Sequence, residues 1–197
     1  MNPKIREVLT EIEEFGRKND TAEAEHSRRM LNLDPETAKL LSILLQSSRA
    51  KSVLEIGTSS GYSTIWLAAS IRNHGGHVVS IDRSAEKHAL AKKNLLKAGV
   101  LDCVSLLTGD ATTAMKELRG TWDAVFFDAD RITAPDQLRL VYPHLAPAAF
   151  LFADNALSHP GEIQSYLKAV DALGDFTHVI VPIGKGLSVA FRPRPGT

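Results

Sequence analysis

Apolar residues recur along this chain at two periods, and the change from one to the other marks its architecture. Residues 1 to 29 form a charged segment whose apolar positions Ile5, Val8, Leu9, Ile12 and Phe15 fall three or four apart, so one helical face should pack on something. Asp34, Pro35 and Glu36 then supply an N-cap, a favoured first helical residue and an acid in the first turn. The apolar face of Ala38, Leu41, Leu44 and Leu45 follows, and this helix should run to about Ser47. From Ser52 the pattern changes. Short apolar runs bounded by glycine or acid alternate with helical stretches, as in a parallel sheet with crossover helices. The runs, Val53–Ile56, Val78–Ile81, Val104–Leu107, Ala124–Phe127, Phe150–Ala153, Val179–Val181 and Leu187–Phe191, predict seven strands. Helices are predicted near Ser63–Ser70, Ala85–Ala98 closed by Gly99, Ala111–Leu118, Ala134–Leu145 and Glu162–Leu173.

The fold class is therefore α/β. At 197 residues and 44% hydrophobic, the chain has the size of one compact domain with a substantial core. The 23 basic and 23 acidic residues cancel, so no global field favours nucleic acid or an anionic membrane. No apolar stretch approaches the roughly 20 residues that span a bilayer, which predicts a cytoplasmic protein. The lone Cys103 sits beside an apolar run and reads as a buried hydrophobe. The closing RPRPGT reads as a frayed tail.

In an open α/β sheet, ligands sit beyond the carboxyl ends of the strands. Here the first five strands close on Glu55-Ile56-Gly57, Asp82, Gly109-Asp110, Asp128 and Asp154-Asn155, each with an acid. One such acid commonly terminates a strand or caps a helix; five in order are harder to dismiss. The loop Gly57–Gly61 carries glycines where backbone turns tightly and approaches a ligand, but lacks the GxGxxG spacing that admits a pyrophosphate. That argues against NAD and FAD. Asp82 is placed to accept hydrogen bonds from both hydroxyls of a ribose. Glu55 and the small loop residues Thr58 and Ser59 are candidates for ammonium and carboxylate groups, and Asp110 for an adenine amino group. An amino-acid nucleoside satisfies all of these.

With these motifs in view, LEIGTSSGYS (Leu54–Ser63), VVSIDRS (Val78–Ser84), GDA (Gly109–Ala111), FFDADR (Phe126–Arg131), ADN (Ala153–Asn155) and PIGKGL (Pro182–Leu187), the sequence resembles the cation-dependent class I O-methyltransferases, which include catechol and caffeoyl-CoA O-methyltransferases. The resemblance covers roughly Leu31 to Arg192. It implies a Rossmann-like class I methyltransferase fold, a mostly parallel seven-stranded sheet with helices on both faces and the last strand antiparallel. It further implies that Glu55, Gly57, Ser63, Asp82, Asp110 and Ala111 contact S-adenosylmethionine, which leaves as S-adenosylhomocysteine, with Asn32 near its amino-acid end. Thr58, Ser59, Tyr62, Arg83 and Asp128 complete the candidate cofactor set. Residues 31–192 would form the methyltransferase domain, 1–30 a lid or homodimer contact, and 193–197 a tail.

Asp128 and Asp154-Asn155 end neighbouring strands in this topology and offer hard oxygen ligands, suited to Mg²⁺, Mn²⁺ or Ca²⁺ rather than zinc. By resemblance they match the family's metal ligands, with Mg²⁺ the expected ion. The implied chemistry is O-methylation of a small acceptor, a phenolic vicinal diol whose hydroxyl is acidified by the cation. Asp128 and Arg131 are the candidate catalytic residues. The family usually carries Lys where this chain has Arg131, and arginine cannot take a proton at accessible pH. Either metal acidification suffices, with Arg131 stabilising the oxyanion, or the acceptor is not a catechol. The family's Tyr just beyond is replaced by the run Ile132 to Pro135, and Lys185 stands where Asp is common. His159 and Glu162 are further acceptor candidates, against a helix-capping role. Trp66 reads as core, and His26, His74, His77, His88, His144 and His178 show no metal-ligand spacing.

Three alternatives stay open. A nucleotide-dependent oxidoreductase is opposed by the glycine spacing. A nucleic-acid methyltransferase should show a basic face and an Asn or Asp followed by Pro-Pro and an aromatic at the fourth strand end, where this chain has Asp128-Ala129-Asp130-Arg131. A non-catalytic S-adenosylmethionine-binding protein would be marked by Arg131 as lost chemistry.

Overall fold

In the computed structural model, residues 1–194 are described. The helices are α1 (Pro3–Ala22), α2 (Pro35–Ser48), α3 (Tyr62–Ile71), α4 (Ala85–Ala98), α5 (Ala111–Glu117), α6 (Ala134–Val141) and α7 (Pro160–Asp171). The strands are β1 (Ser52–Ile56), β2 (His77–Asp82), β3 (Val104–Thr108), β4 (Trp122–Phe127), β5 (Leu145–Ala153), β6 (Thr177–Val181) and β7 (Leu187–Phe191). They form one sheet in the order β3-β2-β1-β4-β5-β7-β6. β1 to β5 pair in parallel, and β7 runs antiparallel to both β5 and β6. The Rossmann-like arrangement with an antiparallel last strand is thus as expected.

Side chains alternate between two cores. Val53, Ala124, Phe126 and Phe152 point to the face covered by α1 to α4, while Leu54, Ile56, Val125, Phe127 and Leu151 point to the face covered by α5 to α7. Because β1 sits between β2 and β4, the direction of strand progression reverses beside it, and a crevice opens at the carboxyl ends of β1 and β4.

Beyond shifts of one or two residues at element ends, the structure departs from the sequence reading at Phe15, at the α6–β5 junction and at Arg192. Phe15 is 47% exposed, and Gly16 takes its place on the inner face of α1, where a Cβ would lie 2.4 Å from the Asn32 side chain. α6 stops at Val141 because Pro143 follows in a 3₁₀ turn, and β5 starts at Leu145 rather than Phe150. Arg192 is not frayed: its amide donates to Ala149 O, its guanidinium to Ala146 O, and it lies over the Tyr142 and Phe176 rings. The rest of the expected tail includes residues 195–197, which lie outside the described ones.

The apolar face of α1 (Ile5, Val8, Leu9, Ile12) belongs to the chain's own core and packs on α3 and α4. A lid or a twofold contact made by α1 would therefore have to use its outer face. Among the described residues no helix is long and apolar enough to cross a membrane.

Candidate active site

The strand-end acids are brought to one crevice by the sheet register. Gly57 N donates to Ile81 O (2.9 Å), Asp128 N to Ile56 O (2.8 Å) and Asp154 N to Phe127 O (3.2 Å), so each chain leaves its strand one residue above its neighbour. Gly57, at φ +106°, passes so close to β4 that a Cβ would lie 2.5 Å from Asp128 O; only glycine fits there. On this side an open cleft is lined by Gly57, Asp82, Arg83, Asp110 and Ala111 from the sequence-derived set. Thr133 and Gln137 also line it, and neither was singled out from the sequence.

The cleft's two outer acids are held in different ways. Asp82 Oδ2 accepts from the amides of Thr58 (3.1 Å) and Ser59 (2.9 Å), and Oδ1 from that of Ser84 (2.9 Å). It therefore shapes the glycine loop while facing the cleft. Asp110 caps α5 through Oδ1, which accepts from the Thr113 amide and hydroxyl, and these bonds hold its carboxyl below the usual range.

Other members of the predicted set stand behind the loop and hold it. Glu55 is fully buried, which does not fit the expected contact with a ligand's ammonium group. Its Oε2 accepts from Thr64 and Ser80 hydroxyls at 2.5 Å each, Oε1 has no partner, and burial raises its carboxyl to about 7. Ser63 is buried beside it and adds a further hydroxyl. Tyr62 is 2% exposed and donates to Glu13 Oε1 on α1 at 2.6 Å. Burial, reinforced by Glu13, pushes its phenol upward. Asn32 donates to Ile12 O and accepts from Ser60 Oγ, while Ser59 Oγ donates to Met30 O. Residues 30–32 thus form a strap over the loop, fixed at its other edge by Asp20, whose carboxylate accepts from the Met30 and Leu31 amides. Trp66 packs against the core as expected.

On the β4–β5 side, Asp128 and the 4% exposed Asp154 form a close-set acid pair. Burial raises both carboxyls; the charges of Asp154 and then Glu55 raise Asp128 further, and Lys185 and Arg131 act in the opposite sense on both acids. Asn155, at φ +67°, donates from Nδ2 to Asp154 Oδ2 (3.0 Å) and accepts from Ser158 Oγ. Asp154 Oδ1 is buried with no partner. An orphaned carboxylate oxygen beside a second acid is a donor set that fits a hard divalent cation. Among the described residues no three His, Cys, Asp or Glu side chains converge as ligands, so the amide of Asn155 would have to complete the set.

Arg131, 22% exposed, reaches across to α7: its Nε and Nη2 both donate to Glu162 Oε2, at 2.8 and 2.7 Å. Glu162 is therefore engaged by Arg131 rather than left free for an acceptor. His159 precedes α7 without capping it, and its Nδ1 lies 2.9 Å from Ser158 Oγ.

The family model described as O-methyltransferase matches residues 6–165. The chain belongs to this O-methyltransferase family. A catechol O-methyltransferase from Niastella koreensis is 30% identical over 138 residues, covering 68% of this chain and 62% of that protein. One from Mycobacterium tuberculosis is 39% identical over 97 residues, 49% of this chain and 44% of that one. The matched stretches thus span less than two thirds of both relatives. The O-methyltransferase of Bacillus cereus, solved in complex with SAH, superposes with a TM-score of 0.80 at 23% identity, over 94% of this chain and 90% of that one. At that identity the likeness speaks for the fold, which matches the O-methyltransferase fold through the sheet and its flanking helices.

Proposed function

We propose that the chain transfers the methyl group of S-adenosylmethionine to a hydroxyl of a small phenolic acceptor, a catechol-like vicinal diol, held against a divalent cation such as Mg²⁺. The observation that carries this reading is the pairing of half-buried Asp128 with buried Asp154, whose Oδ1 is unpartnered, beside a cleft whose far wall is Asp82 and Asp110. When bound, S-adenosylmethionine supplies a sulfonium methyl and the cation acidifies the acceptor hydroxyl.

The chain's own residues bind, orient and neutralise. Asp82 and Asp110 offer anionic acceptors to nucleoside donors, as ribose hydroxyls and an adenine amino group would require. Asp128, Asp154 and the amide of Asn155 would hold the cation, and a cation there would offset the burial that raises both carboxyls and the Asp154 charge that raises Asp128 further. Arg131, held by Glu162, keeps a permanent positive charge at the edge of the acid pair, placed to stabilise an oxyanion but unable to take a proton. The remaining work is positioning. In this reading residues 31–192 carry the reaction, and α1 braces the cofactor loop from behind.

The test is a methyl-transfer assay over a panel of catechols and matched monophenols, with Mg²⁺ and with chelator, on the native chain and on Asp154→Ala. Transfer should be confined to the diols, vanish with chelator and fall roughly a hundredfold or more in the variant, whose S-adenosylhomocysteine binding stays intact. Transfer indifferent to chelator, or a variant that loses cofactor binding with unchanged cation dependence, would refute the cation's role.

A further inference from the structure

Beneath the Gly57–Gly61 loop, five polar side chains from β1, the loop itself, β2, β3 and α4 form one unbroken hydrogen-bonded chain. Thr108 Oγ1 lies 2.6 Å from His88 Nδ1, and His88 Nε2 lies 3.0 Å from Thr58 Oγ1. Thr58 Oγ1 is 2.6 Å from Ser80 Oγ, which donates to Glu55 Oε2 at 2.5 Å. Thr58, Ser80, Glu55 and His88 are all buried, so no bulk water competes for these bonds.

The direction of every bond follows from counting protons. Each hydroxyl has one to give. With Glu55 ionised, or with its proton on the unpartnered Oε1, Oε2 only accepts, so Ser80 gives its proton to Glu55 and Thr58 must be the donor to Ser80. Thr58 then has none left, and the contact with His88 can be a hydrogen bond only if Nε2 carries the imidazole proton. A neutral ring protonated at Nε2 is bare at Nδ1, which accepts from the Thr108 hydroxyl. Burial holds His88 below its usual range, consistent with a neutral ring.

Thr58 is the hub of the loop. Its amide donates to Asp82 Oδ2 at 3.1 Å, its carbonyl accepts from Gly61 N at 2.8 Å, and its side chain lies between Ser80 and His88. We propose that His88 is a positioning residue for the cofactor loop, acting as the neutral Nε2–H tautomer that donates to Thr58 and so holds the turn from Gly57 to Gly61 in its ligand-ready form. This role rests on the reading that the loop holds S-adenosylmethionine. A role in core filling alone would be indifferent to which ring nitrogen carries the proton.

Two substitutions separate these cases. In His88→Gln the side-chain amide nitrogen reaches the place of Nε2 and can still donate to Thr58; in His88→Asn the shorter amide reaches only the place of Nδ1. S-adenosylhomocysteine affinity is read by calorimetry on the full chain, and the imidazole nitrogen chemical shifts of the native chain give the tautomer. His88→Asn should bind roughly tenfold more weakly, while His88→Gln stays within about twofold of the native chain. The native ring should carry its proton on Nε2. Should His88→Asn not fold, Thr58→Val, which removes the acceptor at nearly constant volume, should show the same roughly tenfold loss. A proton on Nδ1, or equal affinities for the native chain and the variants, would overturn the role while leaving the site reading in place. A native chain that binds no S-adenosylhomocysteine would overturn the site reading and the role with it.

Discussion

The Tyr62 hydroxyl donates a 2.6 Å hydrogen bond to Glu13, tying the N-terminal helix to the first turn of α3 directly behind the glycine loop. Tyr62 is almost wholly buried, so its hydroxyl has no water to turn to if Glu13 is lost. Tyr62→Phe should therefore lower stability by about 1 kcal/mol in urea unfolding and speed proteolytic cleavage within α1. Unchanged stability together with unchanged cleavage would mean that the Tyr62–Glu13 bond adds nothing to the hold on α1.

Arg131 and Glu162 form a pair whose acid is half exposed, so its contribution to stability is small. Its effect should fall on the reaction. Glu162→Ala releases the guanidinium from its position beside Asp128 and Asp154, and the methyl-transfer rate should drop roughly tenfold with the melting temperature and S-adenosylhomocysteine affinity unchanged. A variant with full activity would remove Arg131 from the reaction.

Glu55 makes stability depend on pH with a definite sign. Its carboxyl is raised from the ordinary 4.5 to about 7 by burial, so the folded chain retains a proton that the unfolded chain releases between those values. Its contribution is fully favourable below about 4.5 and declines as pH rises to about 7, by roughly 3 kcal/mol in all. Glu55→Gln, which cannot ionise, should be more stable relative to the native chain at pH 8 than at pH 4.5 by about that amount. Asp154 slopes in the same direction but is common to both proteins and cancels, while Asp128, which the Glu55 charge raises further, slopes less in Glu55→Gln and so widens the difference in the same sense. Parallel stability curves for the two proteins across this range would show that Glu55 ionises normally.

The sheet was legible because buried parallel strands announce themselves as apolar runs, and because Gly57 and the strand-end acids mark where those runs stop. Pro143 was legible too, but the apolar residues on either side of it hid the change from α6 to β5. The site residues were found by type and position, yet their directions were not. Tyr62 faces a partner 49 residues earlier in the chain, and Ser59 is turned by a φ of +47°; neither can be read from local spacing. Gln137 left a signal that went unused, since it interrupts the buried stripe Ala134, Leu138 and Val141 of α6. His88 left none, because its partners Thr58 and Thr108 come from the loop after β1 and the end of β3, 30 and 20 residues away.

The measurement that bears most directly on the central claim is a calorimetric titration of the cofactor-free chain with S-adenosylhomocysteine. The account predicts saturable binding of one molecule per chain, weakened in Asp110→Ala, which removes a carboxylate from the cleft wall. A native chain that takes up no S-adenosylhomocysteine would contradict it.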